Sequence, residues 1–365
     1  MLDGRREVRW TGLVAALVAG AWLLSLPPAA VDEARPAARG FASAWPEAIR
    51  GTVSGSLPDG AEYTPGLFLD AGSSVGQAVT ADGASVRLVS VSVGGVRELR
   101  RLPAVSAPQY FGFVAGGGGR VAWAESVEDA AGKRTTAMWV GGGDGPARRL
   151  VADAGDVKQT DSAHDLTIVD GRLHWTAVGP GEPSSTQLRS VSLGGGDERV
   201  ESVAGSWSPV GWPWLLDDTD AVGGGRVLLM DRLTGSRREF TAGPADFPAC
   251  GATWCRAIVL SDGASDGVDL VRVDGTQRRR VAGPDVGFPV TDVAVLDRFE
   301  LLTSLDPATR AAQGRPLSVY DLTRDQTVSV AADAVSVVSR GGWLWWSSGF
   351  ENRLSWSAVD LRTLS

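Results

Sequence analysis

The feature that most constrains this chain is a strand unit repeated along most of its length. Short apolar runs with period-two character occur at 86–93, 136–140, 187–193, 227–231, 268–273, 316–321 and 354–360. Their centres recur roughly every 40 to 50 residues. Runs of the same kind precede most of them, at 120–125, 172–177, 256–260, 299–303 and 343–346. Period-two alternation puts every second side chain on one face, which suits a strand and denies a helix its continuous apolar stripe. Glycine contributes 47 of 365 residues and falls between the runs, where tight turns need it.

Most units end in a turn followed by a basic segment, as at 94–102, 143–151, 235–240 and 275–281. Arginines there suit an outer, water-facing strand, because charge discourages edge-to-edge pairing. Four short strands in about 45 residues, repeated without helices, predict an all-β fold: a β-propeller of seven four-stranded blades over residues 61–365. The competing arrangement is a two-sheet sandwich or two smaller β domains. The chain ends on what reads as the third strand of a blade, so residues 48–53 or 63–69 are expected to supply the fourth.

The blade pattern resembles the TolB-like and WD40-like propellers of bacterial envelopes. Residues 268–282 and 315–330 carry the likeness best, and the turn of Thr80, Ala81, Asp82 and Gly83 echoes the turn that opens such blades. The resemblance covers about residues 60–365. It implies a fold and an envelope location, and it transfers no catalytic or binding residues.

The N-terminus reads as a membrane signal. Arg5, Arg6 and Arg9 precede an uncharged stretch at 10–31, which Asp32 and Glu33 follow. Its apolar core of about 17 residues makes roughly 25 Å of helix, the short end of a bilayer span. The expected organisation is a cytoplasmic tail at 1–9, a transmembrane signal-anchor at 10–31, and a linker at 32–60 that supplies a closing strand. The positive-inside rule then places the propeller outside the cytoplasm, in a single-pass protein of the cell membrane. The alternative is secretion after signal cleavage.

Charge and scarce residue types narrow the chemistry. A net charge of −8 excludes the basic face that nucleic-acid binding requires. Cys250 and Cys255 are the chain's two cysteines, and in an oxidising compartment they are expected to form a disulfide. His164 and His174 are its two histidines, and neither belongs to a nucleophile motif; they read as a turn residue and a strand residue. No metal site or cofactor is expected. The acidic stretches 217–220 and 262–266 lack calcium-loop spacing, and the glycine runs 116–119 and 223–225 open no helix.

Among the 14 tryptophans, Trp207, Trp212 and Trp214 cluster in a stretch rich in Pro and Gly. They read either as packing between blades or as a surface for peptide or carbohydrate. Loops 66–75, 156–165 and 285–291 are expected at a mouth of the central channel. The functional expectation is a membrane-anchored, extracytoplasmic binding or scaffolding module whose partner is an envelope protein, peptide or glycan. The alternative is a propeller enzyme, a lyase or glycan hydrolase, with carboxylates in the central channel. Carboxylates from different blades converging there would favour the enzyme.

Overall fold

The alternation seen in the sequence becomes sheets with two packed faces. In Arg172–Val178, for example, Leu173 and Trp175 are buried while Arg172 and His174 are only half-buried. The computed structural model describes residues 38–365 apart from 117–118, 143–144, 182–183, 221–224, 242, 244–245, 308–313 and 351–353. Seven sheets follow one another, each an antiparallel set of four strands, consecutive in the chain in all but the last.

Blade 1 contains Glu62–Asp70, Ser73–Val79, Ser85–Ser92 and Gly95–Pro103. Blade 2 contains Gln109–Gly116, Arg120–Glu128, Arg134–Gly142 and Gly145–Val151. Blade 3 contains Thr167–Val169, Arg172–Val178, Ser185–Ser192 and Arg199–Ala204. Blade 4 contains Ser208–Gly211, Trp214–Asp220, Arg226–Asp231 and Arg237–Thr241. Blade 5 contains Asp246–Cys250, Trp254–Ser261, Ala264–Arg272 and Arg278–Ala282. Blade 6 contains Val286–Gly287, Phe299–Ser304, Arg315–Asp321 and Gln326–Ala334.

Blade 7 begins with Val337–Arg340, Trp343–Ser348 and Ser355–Asp360, and its fourth strand is Arg50–Ser54. Val53 faces Trp356 and Thr52 faces Ser357 in this antiparallel pairing. The first and last parts of the described chain therefore share a blade, which closes the ring. The other candidate for this role, 63–69, lies instead in the innermost strand of blade 1. Upstream, Arg39–Gly40 adds a short parallel strand to the outside of blade 6. The four-residue helix Phe41–Ala44 follows, and Trp45 is buried against Phe299 and Leu361.

The core lies between blades, because each sheet buries both faces against its neighbours. Leu67 and Leu88 of blade 1 meet Phe113 and Trp123 of blade 2. Met138 of blade 2 meets Leu173 and Trp175 of blade 3. The series continues to the last junction, where Phe68 of blade 1 packs on Trp343, Trp345 and Trp356 of blade 7. Burial of such rings is the main stabilising contribution, at about 25 cal/mol per Å² of apolar surface.

The structure confirms seven blades and corrects the membrane reading. Among the described residues no helix is long and apolar enough to cross a membrane. The expected span at 10–31 and the tail at 1–9 lie outside the described residues. The transmembrane helix, the signal-anchor, the membrane as partner and the single-pass cell-membrane localisation are corrected accordingly. The membrane-anchored binding or scaffolding module is corrected with them.

Candidate functional site

Two inner strands depart from the regular pattern, and they do so where they meet. The inner strand of blade 3 is only Thr167–Val169, paired with Arg172, Leu173 and His174. Upstream, Val157 bridges Ala177 and the Lys158 amide donates to the Thr176 carbonyl, so the ladder is already engaged there. Residues 159–166 thus leave the ladder and return to it. The excursion is clipped by Asp165, whose carboxylate accepts from the Thr160 amide and, at 2.5 Å, from the Thr160 hydroxyl. Asp161 takes the left-handed conformation (φ 57°), which Asp tolerates better than most residues.

The inner strand of blade 6 is likewise reduced, to Val286–Gly287, and continues irregularly to Arg298. Asp292 lies in that continuation. Its two carboxylate oxygens accept from the Ser162 hydroxyl (2.5 Å) and the Ala163 amide (2.9 Å) of the blade 3 excursion. Arg340, the last residue of the inner strand of blade 7, donates to the Ser162 carbonyl at 3.2 Å. Blades 3, 6 and 7 are therefore tied together across the centre of the ring.

Dehydration sets the electrostatics here. Asp165 is 2% exposed, and burial lifts its carboxyl to about 6. The Thr160 hydrogen bonds and the Arg340 charge oppose that rise, and Asp292 adds to it. Burial also lowers the pKa of the Arg340 guanidinium, while Asp165, Asp292 and Asp161 hold its charge. Arg340 Nε has no hydrogen-bond partner among the described residues.

Behind Asp292, Arg256 donates to its backbone carbonyl at 2.9 Å and pairs with the fully buried Glu300. Glu300 also accepts from the Ala294 amide at 2.8 Å. Burial pushes the Glu300 carboxyl up, and Arg256 pulls it down. This second layer fixes the segment that carries Asp292.

A small cavity adjoins the crossing. It measures about 20 Å³ and is lined by His164, His174, Trp212 and Arg232, among others. The Nη1 of Arg232 lies 3.1 Å from His174 Nδ1. A guanidinium can only donate, so His174 Nδ1 accepts and the ring proton sits on Nε2. Burial, with help from Arg232 and Arg172, depresses His174 to about 4, which keeps the imidazole neutral. The Trp212 and His174 rings are 4.6 Å apart, and the Arg232 guanidinium lies 5.4 Å from the Trp212 centroid.

The structure sets Trp207 apart from Trp212 and Trp214, which both line the cavity. Trp207 is buried with Leu188, Leu215 and Met230 between blades 3 and 4, and its indole donates to the Ala204 carbonyl. Trp214 packs against the core between blades 4 and 5, with the Arg238 guanidinium 4.4 Å from its ring centroid. Trp212, half-buried, lines the cavity. Cys250 and Cys255 form the expected disulfide across the inner hairpin of blade 5. Asp217 accepts from the Ser206 amide and, locally, from the Thr219 amide and hydroxyl. Among the described residues no three His, Cys, Asp or Glu side chains form a group able to hold a metal.

Sequence reasoning pointed to loops 156–165 and 285–291 but not to Ser162, Asp292 or Arg340. Nothing local distinguishes those residues. Asp292 and Arg340 are 130 and 178 residues away from Ser162, so their partnership is visible only in the fold.

No family model matches the chain, and no curated protein matches it. Solved structures do. An uncharacterized protein of Listeria monocytogenes aligns over 87% of this chain and 96% of its own, at 12% identity and a TM-score of 0.51. A prolyl endopeptidase aligns over 88% of this chain at 14% identity and a TM-score of 0.49, with this chain spanning 48% of its length. An oligogalacturonate lyase solved with manganese aligns over 83% of this chain and 80% of its own, at 13% identity and a TM-score of 0.43. At such identities the likeness shows the propeller fold alone. It does not single out the TolB-like or WD40-like groups.

Proposed function

We propose that this propeller is an acid–base enzyme, a glycan lyase or hydrolase, working at Asp165 and Asp292 in its central channel. What supports this reading is that Asp292 of blade 6 is bonded to the blade 3 excursion that Asp165 clips, and that both carboxylates act electrostatically on the buried Arg340. A carboxyl lifted to about 6 exchanges its proton near neutral pH, the property a general acid or base needs. Polar groups this dehydrated cost stability, and the ring does not need them to close.

In the elimination form, Asp292 removes the proton on the carbon beside a sugar carboxylate. The electron pair of that C–H bond becomes a carbon–carbon double bond as the glycosidic C–O bond breaks. Protonated Asp165 gives its proton to the departing oxygen, and Arg340 stabilises the charge that gathers on the sugar carboxylate. In the hydrolytic form, Asp292 takes a proton from water, whose hydroxyl joins the anomeric carbon as the glycosidic C–O bond breaks, and Asp165 again protonates the leaving oxygen. Trp212, beside the crossing, offers a ring on which a sugar can stack.

The test is a panel of acidic and neutral polysaccharides, read by absorbance of unsaturated products and by new reducing ends. Turnover is expected, with kcat reduced roughly 10²- to 10⁴-fold in Asp165→Asn and Asp292→Asn while both variants remain folded. Turnover that is equal in both variants would overturn the assignment, and so would a panel without turnover by folded protein.

A further inference from the structure

We infer that Arg232, together with His174 and Trp212, forms a recognition site for the carboxylate of an acidic sugar. This rests on the glycan reading above and deepens it, since the site adjoins the carboxyl pair. The argument starts from an imbalance. Arg172, Arg189 and Arg199 on blade 3 each pair with an acid: Arg172 and Arg199 with Asp197, Arg189 with Glu198. Arg232, in the turn after Arg226–Asp231, has no ion-pair partner among the described residues. It is nonetheless dehydrated enough for burial to lower its pKa, with Glu201 as the attractive charge that acts on it. A partly buried guanidinium without a carboxylate is an open demand for an anion.

The neighbours make that demand directional. One guanidinium nitrogen is committed to His174 Nδ1, which leaves the rest of the planar fork available. The same contact puts the imidazole proton on Nε2 and so supplies a second, neutral donor beside the cavity. The cavity, about 20 Å³ and partly open to solvent, takes a group of about the size of one water, such as the tip of a carboxylate, and no whole sugar. The sugar ring would remain at the mouth, where Trp212 stands. His164 lines this cavity and Ala163 donates to Asp292, so two consecutive residues connect recognition to the proposed chemistry.

The experiment is glucuronate binding to the full chain by calorimetry, with glucose as the neutral control and acetate as the bare carboxylate. The imidazole resonances are followed in parallel, and His164→Gln separates the signals of the two histidines. Glucuronate is expected to bind and shift the His174 resonances, with acetate giving the same shift more weakly and glucose giving none. Arg232→Gln should weaken glucuronate at least tenfold at unchanged melting temperature. Arg232→Lys should restore part of the loss, since it keeps the charge and loses the fork.

Equal binding of glucose and glucuronate, glucuronate binding unaffected by Arg232→Gln, or no binding by folded protein would each overturn the proposal. Binding is read without turnover, so it stands or falls apart from catalysis. Turnover of neutral glycans alone, indifferent to Arg232→Gln, would leave the enzyme reading standing and remove the acidic-sugar site.

Discussion

The ring is joined in two contrasting ways. Where blade 7 meets blade 1 the contact is aromatic. Phe68 lies 5.9 Å from Trp343 and 5.4 Å from Trp345, and the Trp356 indole donates to the Tyr63 carbonyl at 3.1 Å. Where blades 3, 6 and 7 meet across the centre the contact is polar, through Ser162, Asp292 and Arg340. Apolar burial is non-directional and closes a ring whatever the details. Dehydrated hydrogen bonds are directional and costly when incomplete, so they hold particular atoms in particular places. The difference leaves apolar closure at the seam and fixed polar atoms at the centre.

The largest expected effect breaks the seam. Trp345 is fully buried, and Trp345→Ala should cost about 3–5 kcal/mol in denaturant unfolding. A loss below about 1 kcal/mol would show that the seam does not carry closure.

The next effect sharpens the contrast by acting on the centre with opposite sign. The Asp165 carboxyl is raised in the folded state, so its favourable contribution is complete below the unfolded value of about 3.8 and disappears as pH rises through about 6. Asp165→Asn should therefore stabilise the protein at pH 7, by on the order of 2 kcal/mol, and flatten the decline between pH 4 and 6. Urea midpoints across that range give the answer, and a variant less stable at every pH would refute it.

His174 has the reverse slope. Its folded value lies near 4, so the neutral ring's contribution is complete above about 6.5 and is lost as pH falls towards 4. An imidazole titration midpoint above 6 by NMR would remove the dry setting assigned to it.

Reducing Cys250–Cys255 should cost about 2 kcal/mol, since it closes a short loop. The smallest change is expected at the rim. Arg134→Ala breaks an exposed pair with Glu128 and should alter stability by under about 0.5 kcal/mol.

The same contrast explains what could be read from the residues. Strands such as Ser185–Ser192 and Ser355–Asp360 were legible because alternation is local and recurs with each blade. The cysteine pair was legible because five positions separate its members and they face each other across one hairpin. The crossing was not, because Ser162, Asp292 and Arg340 come from distant units with no shared period. Trp207, Trp212 and Trp214 are close in sequence, and their different settings are visible only in the fold. The short strand Ser208–Gly211 and its turn send Trp207 into an inter-blade core and Trp212 to a cavity wall, while Trp214 both lines that cavity and packs against the next core. The apolar stretch at 10–31 was read as a span, yet the α-helix of the described chain is the four-residue Phe41–Ala44.

The pH dependence of kcat/KM on an acidic glycan, compared between the wild type and Asp165→Asn, tests the central claim most directly. The account predicts a limb with a midpoint near 6 in the wild type, and in the variant the loss of that limb with most of the rate. An unchanged profile in Asp165→Asn, at comparable rate, would contradict it.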